Sequence, residues 1–361
     1  MKRISKTGVV LVFSITLLVI IGLISILTTE KKQTTNLNVA VIIPLTGAVG
    51  QTGEDFLNGL LLAKEKINPQ INLYVEDSRS NAMGGVSAAK KLLNTQDIDV
   101  IVSLQSAVVV PILTLAEQYN KPLIATAISK EEFTNQSKYA FRLFPPASQD
   151  AALAAEFAYM EGFRNVSLLT INDEYGTSMR EYFKKNFKGD ITYEESFKAD
   201  EQDFRTILLK ISDSDAVFFI GYIPNYINLF KQINELGENI TVISNLVMIS
   251  NFVRGESGTL LTNSFATAPL AIVGSNSNKF AEEYKNKYGK GPDWSAYFGY
   301  DMLLILDALQ KSKKEPIDAL HEIKINGLNG VISFDEHGEA YIPLAVVQAE
   351  NGSIRIINMT R

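Results

Sequence analysis

The side chains best placed to do chemistry in this sequence sit where apolar runs give way to helical stretches. Gln105 and Ser106 close such a run in Ser103-Leu104-Gln105-Ser106-Ala107. Tyr175 precedes Gly176 in Asp173-Glu174-Tyr175-Gly176, and Tyr222 follows Gly221 behind the run 216–220. A serine at a helix start caps the helix, and the unpaired N–H groups there, aided by the helix dipole, attract a carboxylate. A tyrosine offers a flat apolar face and a hydroxyl tip, which suits closing over a small ligand. Plainer explanations stand beside these: an ordinary N-cap for Ser106, ordinary packing for the tyrosines. The chemistry on offer is recognition, with no bond made or broken.

Catalytic reagents are sparse. The chain has no cysteine, which excludes a disulfide scaffold, thiolate metal sites, a thiol nucleophile and a lipid-modified N-terminal cysteine. Its two histidines, His321 and His337, lie away from the strand-to-helix junctions and suggest no nucleophilic pairing. Gly255-Glu256-Ser257-Gly258 lacks the spacing of a nucleophile elbow, and no phosphate loop or dinucleotide fingerprint occurs. The acidic stretch 335–339 reads more simply as a solvated turn than as a cation site. No enzyme, cofactor or metal is expected. A net charge of −6 argues against nucleic acid, which calls for a basic face.

From residue 37 on, apolar runs of strand length alternate with helical stretches. Runs at 38–43, 71–76, 99–103 and 122–125 are spaced by helices expected near 51–67, 82–95 and 107–119. A second series has strands near 165–171, 191–197, 215–220 and 240–244 and helices near 149–161, 175–187, 202–211 and 224–236. Such alternation builds parallel sheets with helices on both faces and right-handed crossovers. Phe144-Pro145-Pro146-Ala147-Ser148 separates the series, so two α/β lobes are expected, as a length of 361 residues also suggests. A strand at 263–268, helices near 276–288 and 295–312, and short strands near 331–334, 341–348 and 353–357 complete the pattern.

Ahead of this body, Lys2, Arg3 and Lys6 precede an uncharged apolar run at 9–27. At 1.5 Å per residue that run nearly spans a bilayer core of ~30 Å. No alanine occurs before Ala40, so a small-residue cleavage site of the Ala-x-Ala kind is missing. The expectation is a cytoplasmic basic flank at 1–8, a transmembrane signal anchor at 9–27 and a polar linker at 28–36. A cleaved signal peptide is the alternative. Either way the body is exported.

The stretch 38–67 ties these readings together. An apolar strand is followed by Pro44, Thr46, Gly47, Gly53, Asn58 and Gly59. With these residues the chain resembles the type I periplasmic solute-binding proteins, the branched-chain amino acid-binding group. Asp173-Glu174-Tyr175-Gly176, Gly299-Tyr300-Asp301, the run from Gly327 through Gly330 to Asp335, and Gly338 extend the likeness over about 37–355. The resemblance implies two doubly wound parallel sheets joined by three hinge crossings, near 144–148, 266–269 and 325–330. Lobe one is then 37–145 and 269–325, and lobe two is 146–266 and 328–361.

The resemblance also implies a site. Ser106, with Gln105 beside it, would meet a ligand carboxylate. Ala127 and Ser129 would supply a backbone and a hydroxyl contact. Gln51 and Thr52 would face the cleft where many relatives carry an aromatic residue, and Tyr175 and Tyr222 would close from lobe two. One position departs from the pattern. Amino-acid-binding relatives place an acidic residue in the loop that here reads Ser244-Asn245-Leu246-Val247-Met248, so Leu246 or Asn245 stands where the ligand ammonium is paired. A buried ammonium without a counter-charge is costly. Either Asp173 or Glu174 substitutes, or the ligand is a carboxylate, an amide or an aromatic acid. The implied function is extracytoplasmic binding of a small solute by hinge closure, for delivery to the permease subunits of an ABC importer. A ligand sensor or protein-interaction module of the same fold is the alternative.

Overall fold

The computed structural model describes residues 36–261, 263–273, 278–350 and 353–359, with 358 and 359 for the backbone alone. The chain from Leu37 onward forms one unit built on two sheets. In the first, β1 (Leu37–Ile43), β2 (Ile71–Asp77), β3 (Val100–Leu104), β4 (Leu123–Thr126) and β5 (Ala140–Arg142) are all parallel, in the order β2-β1-β3-β4-β5. In the second, β6 (Asn165–Ile171), β7 (Asp190–Phe197), β8 (Ala216–Ile220), β9 (Val242–Asn245) and β10 (Ser264–Pro269) run parallel in the order β10-β9-β8-β6-β7. β3 and β8 are buried along their whole length, as strands covered by helices on both faces must be. The two-lobed α/β architecture is therefore present.

The chain closes differently from a purely parallel pattern. β11 (Ile325–Gly327) and β12 (Gly330–Ile332) form a small hairpin. Leu328 and Asn329 at its tip donate backbone N–H bonds of 2.6 and 2.9 Å to the Asp301 carboxylate. β13 (Leu344–Glu350) then adds to the second sheet antiparallel to β10, and β14 (Ser353–Met359) pairs antiparallel with β13 at the sheet's edge. Between β12 and β13, Phe334 packs edge-on against Phe141 at 5.4 Å, and Arg142 pairs with Glu339. Residues 328–340, assigned from sequence to lobe two, thus pack on the sheet of lobe one. Aromatic and ionic partners on β5 hold the acidic turn there.

Two helices brace the first lobe. Gly50–Ile67 and Trp294–Lys311 pack with Gly59 and Gly299 facing each other's backbone. A Cβ on Gly299 would stand 2.0 Å from the Phe56 carbonyl oxygen, and one on Gly59 would stand 2.0 Å from that of Ala296. Only glycine lets the axes approach so closely.

The expected membrane anchor needs correction. Among the described residues no helix is long and apolar enough to cross a membrane. The fold class shown is the two-lobed α/β body, with no spanning helix among the described residues; the segment 9–27 lies outside them.

Candidate functional site

In open α/β sheets ligands bind at the carboxyl ends of strands, beside the point where strand order reverses. That point lies between β1 and β3 in the first sheet and between β6 and β8 in the second. The two points face each other across a small cavity of about 50 Å³. Lobe one contributes Val49 and Thr52 after β1, Leu104, Gln105 and Ser106 after β3, and Ala127 and Ser129 after β4. Lobe two contributes Tyr175 after β6, Tyr222 and Ile223 after β8, and Asn245 and Val247 after β9.

Local chemistry explains how these residues are aimed. Gly53 lets the first helix begin hard against the strand-end loop, since a Cβ there would meet the Pro44 carbonyl oxygen at 1.7 Å. Thr52 is fixed in the same turn, its carbonyl accepting a 2.8 Å bond from Ser295. Gln105 and Ala127 take φ of 82° and 51°, a region L-residues with side chains seldom occupy. This backbone turns Ser106 to the start of helix Ser106–Gln118 and brings Ser129 beside it, so that the Ser129 N–H donates to Ser106 Oγ at 3.3 Å. Ser129 Oγ and Gln105 Oε1 are buried without a hydrogen-bond partner among the described residues. A buried polar atom of that kind calls for a partner.

The opposite wall is aromatic. The rings of Tyr175 and Tyr222 stack at 6.3 Å with planes 18° apart. The Tyr222 hydroxyl donates to Asp173 Oδ2 at 2.5 Å and accepts from Gln105 Nε2 at 3.2 Å, so one phenol joins the lobes across the cavity. Outside, Lys130 of lobe one and Glu174 of lobe two form an ion pair at 3.0 Å. The loop carrying Ala127, Ser129 and Lys130 is itself clamped. Buried Arg142 donates to the carbonyls of Ile128, Lys130 and Glu131 while pairing with Glu339.

Seven of the eight residues singled out from sequence line this cavity: Thr52, Gln105, Ser106, Ala127, Ser129, Tyr175 and Tyr222. Leu246 does not; its neighbours Asn245 and Val247 do, and Leu246 faces a second cavity. Sequence reasoning passed over Phe144 and Trp294, which complete the apolar wall. Trp294 is the chain's only tryptophan and opens a helix behind Pro292-Asp293, a signal that could have found it.

No lining residue among those described carries a formal charge. The nearest carboxyls are engaged from behind. Asp173 accepts the Tyr222 hydroxyl and the Gly176 N–H, and burial raises its pKa against those bonds. Asp150 is fully buried behind Asn245 and bonds Thr267; burial pushes its carboxyl up to about 7, opposed by hydrogen bonds from Thr267 and Asn245. Asn245 Nδ2 in turn donates to the Tyr175 hydroxyl at 2.8 Å.

The raised pKa makes Asp150 a source of pH-dependent stability. The folded chain binds its proton more tightly than the unfolded chain, so the contribution is whole below about pH 4 and is lost as pH rises through about 7. Asp150→Asn is expected to flatten that fall. Urea midpoints at pH 5 and pH 8 should differ less in the variant, by up to a few kcal/mol of unfolding free energy. An unchanged difference would remove Asp150 from the titration.

Two α/β lobes meeting over a cavity at their strand ends define a hinged binding protein. The chain belongs to the periplasmic binding protein family, whose model matches residues 36–353. It is 25% identical over 248 residues to a Leu/Ile/Val-binding protein of Rhizobium johnstonii, a match covering 63% of this chain and 67% of the relative. A leucine-binding protein of Thermotoga maritima superimposes with a TM-score of 0.81 at 24% identity, over 90% of this chain and 98% of that one. A solute-binding protein of an ABC transporter from Rhodopseudomonas palustris BisB5, in complex with 3,4-dihydroxybenzoic acid, gives 0.82 at 23% identity over 90% and 97%. At these identities the structural likeness is one of fold.

Proposed function

We propose that the protein binds a small solute between its lobes outside the cytoplasm and delivers it to an ABC importer. The observation that carries this reading is the cavity lined from both lobes and bridged by the Gln105–Tyr222 bond. A ligand touching both walls stabilises only the closed arrangement, and that difference in affinity drives closure.

The lining argues for the chemical class. Ser106, Ser129 and the N–H groups opening helix Ser106–Gln118 offer a carboxylate or amide its donors. Val49, Leu104, Phe144, Ile223 and the stacked tyrosines suit an apolar or aromatic body. An ammonium finds no free counter-charge, since Asp173 and Asp150 already serve protein donors. The ligand is therefore a small acid or amide without a free α-amino group. The aromatic acid bound by the Rhodopseudomonas palustris protein supports that choice.

The test is a thermal-shift screen against α-amino acids, carboxylic acids, amides and aromatic acids. At a hundredfold excess over Kd a ligand adds about 2.7 kcal/mol, a rise of a few degrees. Truncating Ser106 and Tyr175 together to alanine is expected to weaken that ligand about a hundredfold while leaving the unliganded Tm within a few degrees. Full affinity in the double variant would move the site elsewhere. A response confined to α-amino acids would overturn the ligand class.

A further inference from the structure

Behind the binding cavity lies a larger one, of about 230 Å³, in the same seam between the lobes. The two share one residue: Trp294 lines both. The facing loop divides the same way, with Asn245 and Val247 on the first cavity and Leu246 on the second. The indole is 5% exposed and rests 6.0 Å from the Phe144 ring. It is the partition between a small proximal chamber and a roomier distal one.

The distal chamber is not merely apolar. Leu246, Ile249 and Tyr297 supply greasy wall, and Arg254 supplies a cation. The Arg254 guanidinium donates to the Ile249 carbonyl at 3.0 Å and to Asn251 Oδ1 at 2.5 Å, and forms no ion pair with a described residue. The carboxylate in the chamber, Asp293, accepts the Trp294 N–H at 2.7 Å at the start of its own helix and attracts Arg254 from beyond ion-pair distance, so a ligand carboxylate would compete with it for the guanidinium. A guanidinium with donors to spare is suited to a planar carboxylate.

We infer that Trp294 sets the length of ligand the protein accepts, and that the chamber behind it is a distal subsite whose Arg254 takes the far carboxylate of an elongated diacid once the indole is out of the way. The inference rests on the proposed binding of small acids in the proximal chamber. An acid anchored at Ser106 and Ser129 runs toward Trp294, so its chain stops at the indole. Removing the indole joins the chambers end to end.

The experiment uses straight-chain monoacids from butanoate to decanoate and the matching α,ω-diacids as probes. Kd is measured by calorimetry for the wild type, Trp294→Ala, Trp294→Leu and Trp294→Ala with Arg254→Gln. The wild type should accept acids only up to a short limit. In Trp294→Ala the limit should lengthen, with long diacids binding at least tenfold tighter than to the wild type. Adding Arg254→Gln should cancel the gain for diacids and spare it for monoacids. Trp294→Leu keeps an apolar side chain for packing and should shift the limit in the same direction should the alanine variant misfold. A wild-type response to short acids whose limit does not move in the folded variants overturns the partition alone. Silence of wild type and variants toward every straight-chain acid overturns this inference, and the thermal-shift screen with aromatic acids and amides then decides the proposed ligand class separately.

Discussion

Replacing Arg142 by methionine is expected to destabilise the protein by about 3 kcal/mol and to weaken solute binding in the same variant. The guanidinium is 1% exposed and serves four groups at once, the Glu339 carboxylate and the carbonyls of Ile128, Lys130 and Glu131. Methionine fills the volume but leaves those acceptors without a donor. The Glu339 side chain keeps 23% of its surface exposed and can partly rehydrate, which holds the loss to the lower end of the range for a broken buried pair. The consequence for binding follows from the loop, since Ile128 to Glu131 adjoin Ala127 and include Ser129. Urea denaturation and calorimetry with the identified ligand measure both effects. Removing the orphaned carboxylate as well, in Arg142→Met with Glu339→Leu, should recover part of the stability but not the affinity. A single variant within 1 kcal/mol of wild type in stability and unchanged in affinity would show that the clamp carries neither role.

Gly299→Ala is the second large effect expected, a loss of about 2–4 kcal/mol. On an exposed helix the same change would add about 1 kcal/mol, alanine being the better helix former. Here the new Cβ would lie 2.0 Å from the Phe56 carbonyl oxygen, so the helices Gly50–Ile67 and Trp294–Lys311 must separate. Gly59→Ala meets Ala296 in the same seam and should cost a similar amount. The double variant should lose less than the sum, because the first separation makes room for the second methyl group. Additive losses in chemical denaturation would mean that the two glycines do not share one contact. A thermal midpoint unchanged by either substitution would contradict the packing outright.

The fold was legible where local pattern and burial agree. Runs such as Val100–Leu104 and Ala216–Ile220 are apolar because both their faces are covered, and alternation with helices then dictates parallel sheets. The site was legible for the same reason, since Gln105, Ser106, Tyr175 and Tyr222 sit at strand ends that sequence alone can find. Other features depend on partners far along the chain. Glu339 belongs to an acidic stretch that reads as a solvated turn, yet its partner Arg142 is 197 residues away. Trp294 reaches the cavity from a helix whose position is set by Gly59 and Gly299, not by anything adjacent to it. Leu246 and Asn245 differ by one step in a loop, and pattern could not say which of two successive side chains faces inward.

The backbone at Gln105 and Ala127 constrains how the protein can evolve. At φ of 82° and 51° both positions hold conformations in which glycine would be at ease, and each non-glycine residue there costs on the order of 1 kcal/mol or more. Selection for heat resistance alone would drift toward glycine at both sites. At Gln105 that drift would erase the amide that meets Tyr222 across the cavity. Thermal robustness and the bridge between the lobes therefore pull this residue in opposite directions, and lineages of the protein pressed toward hotter habitats would have to find their stability elsewhere in the fold.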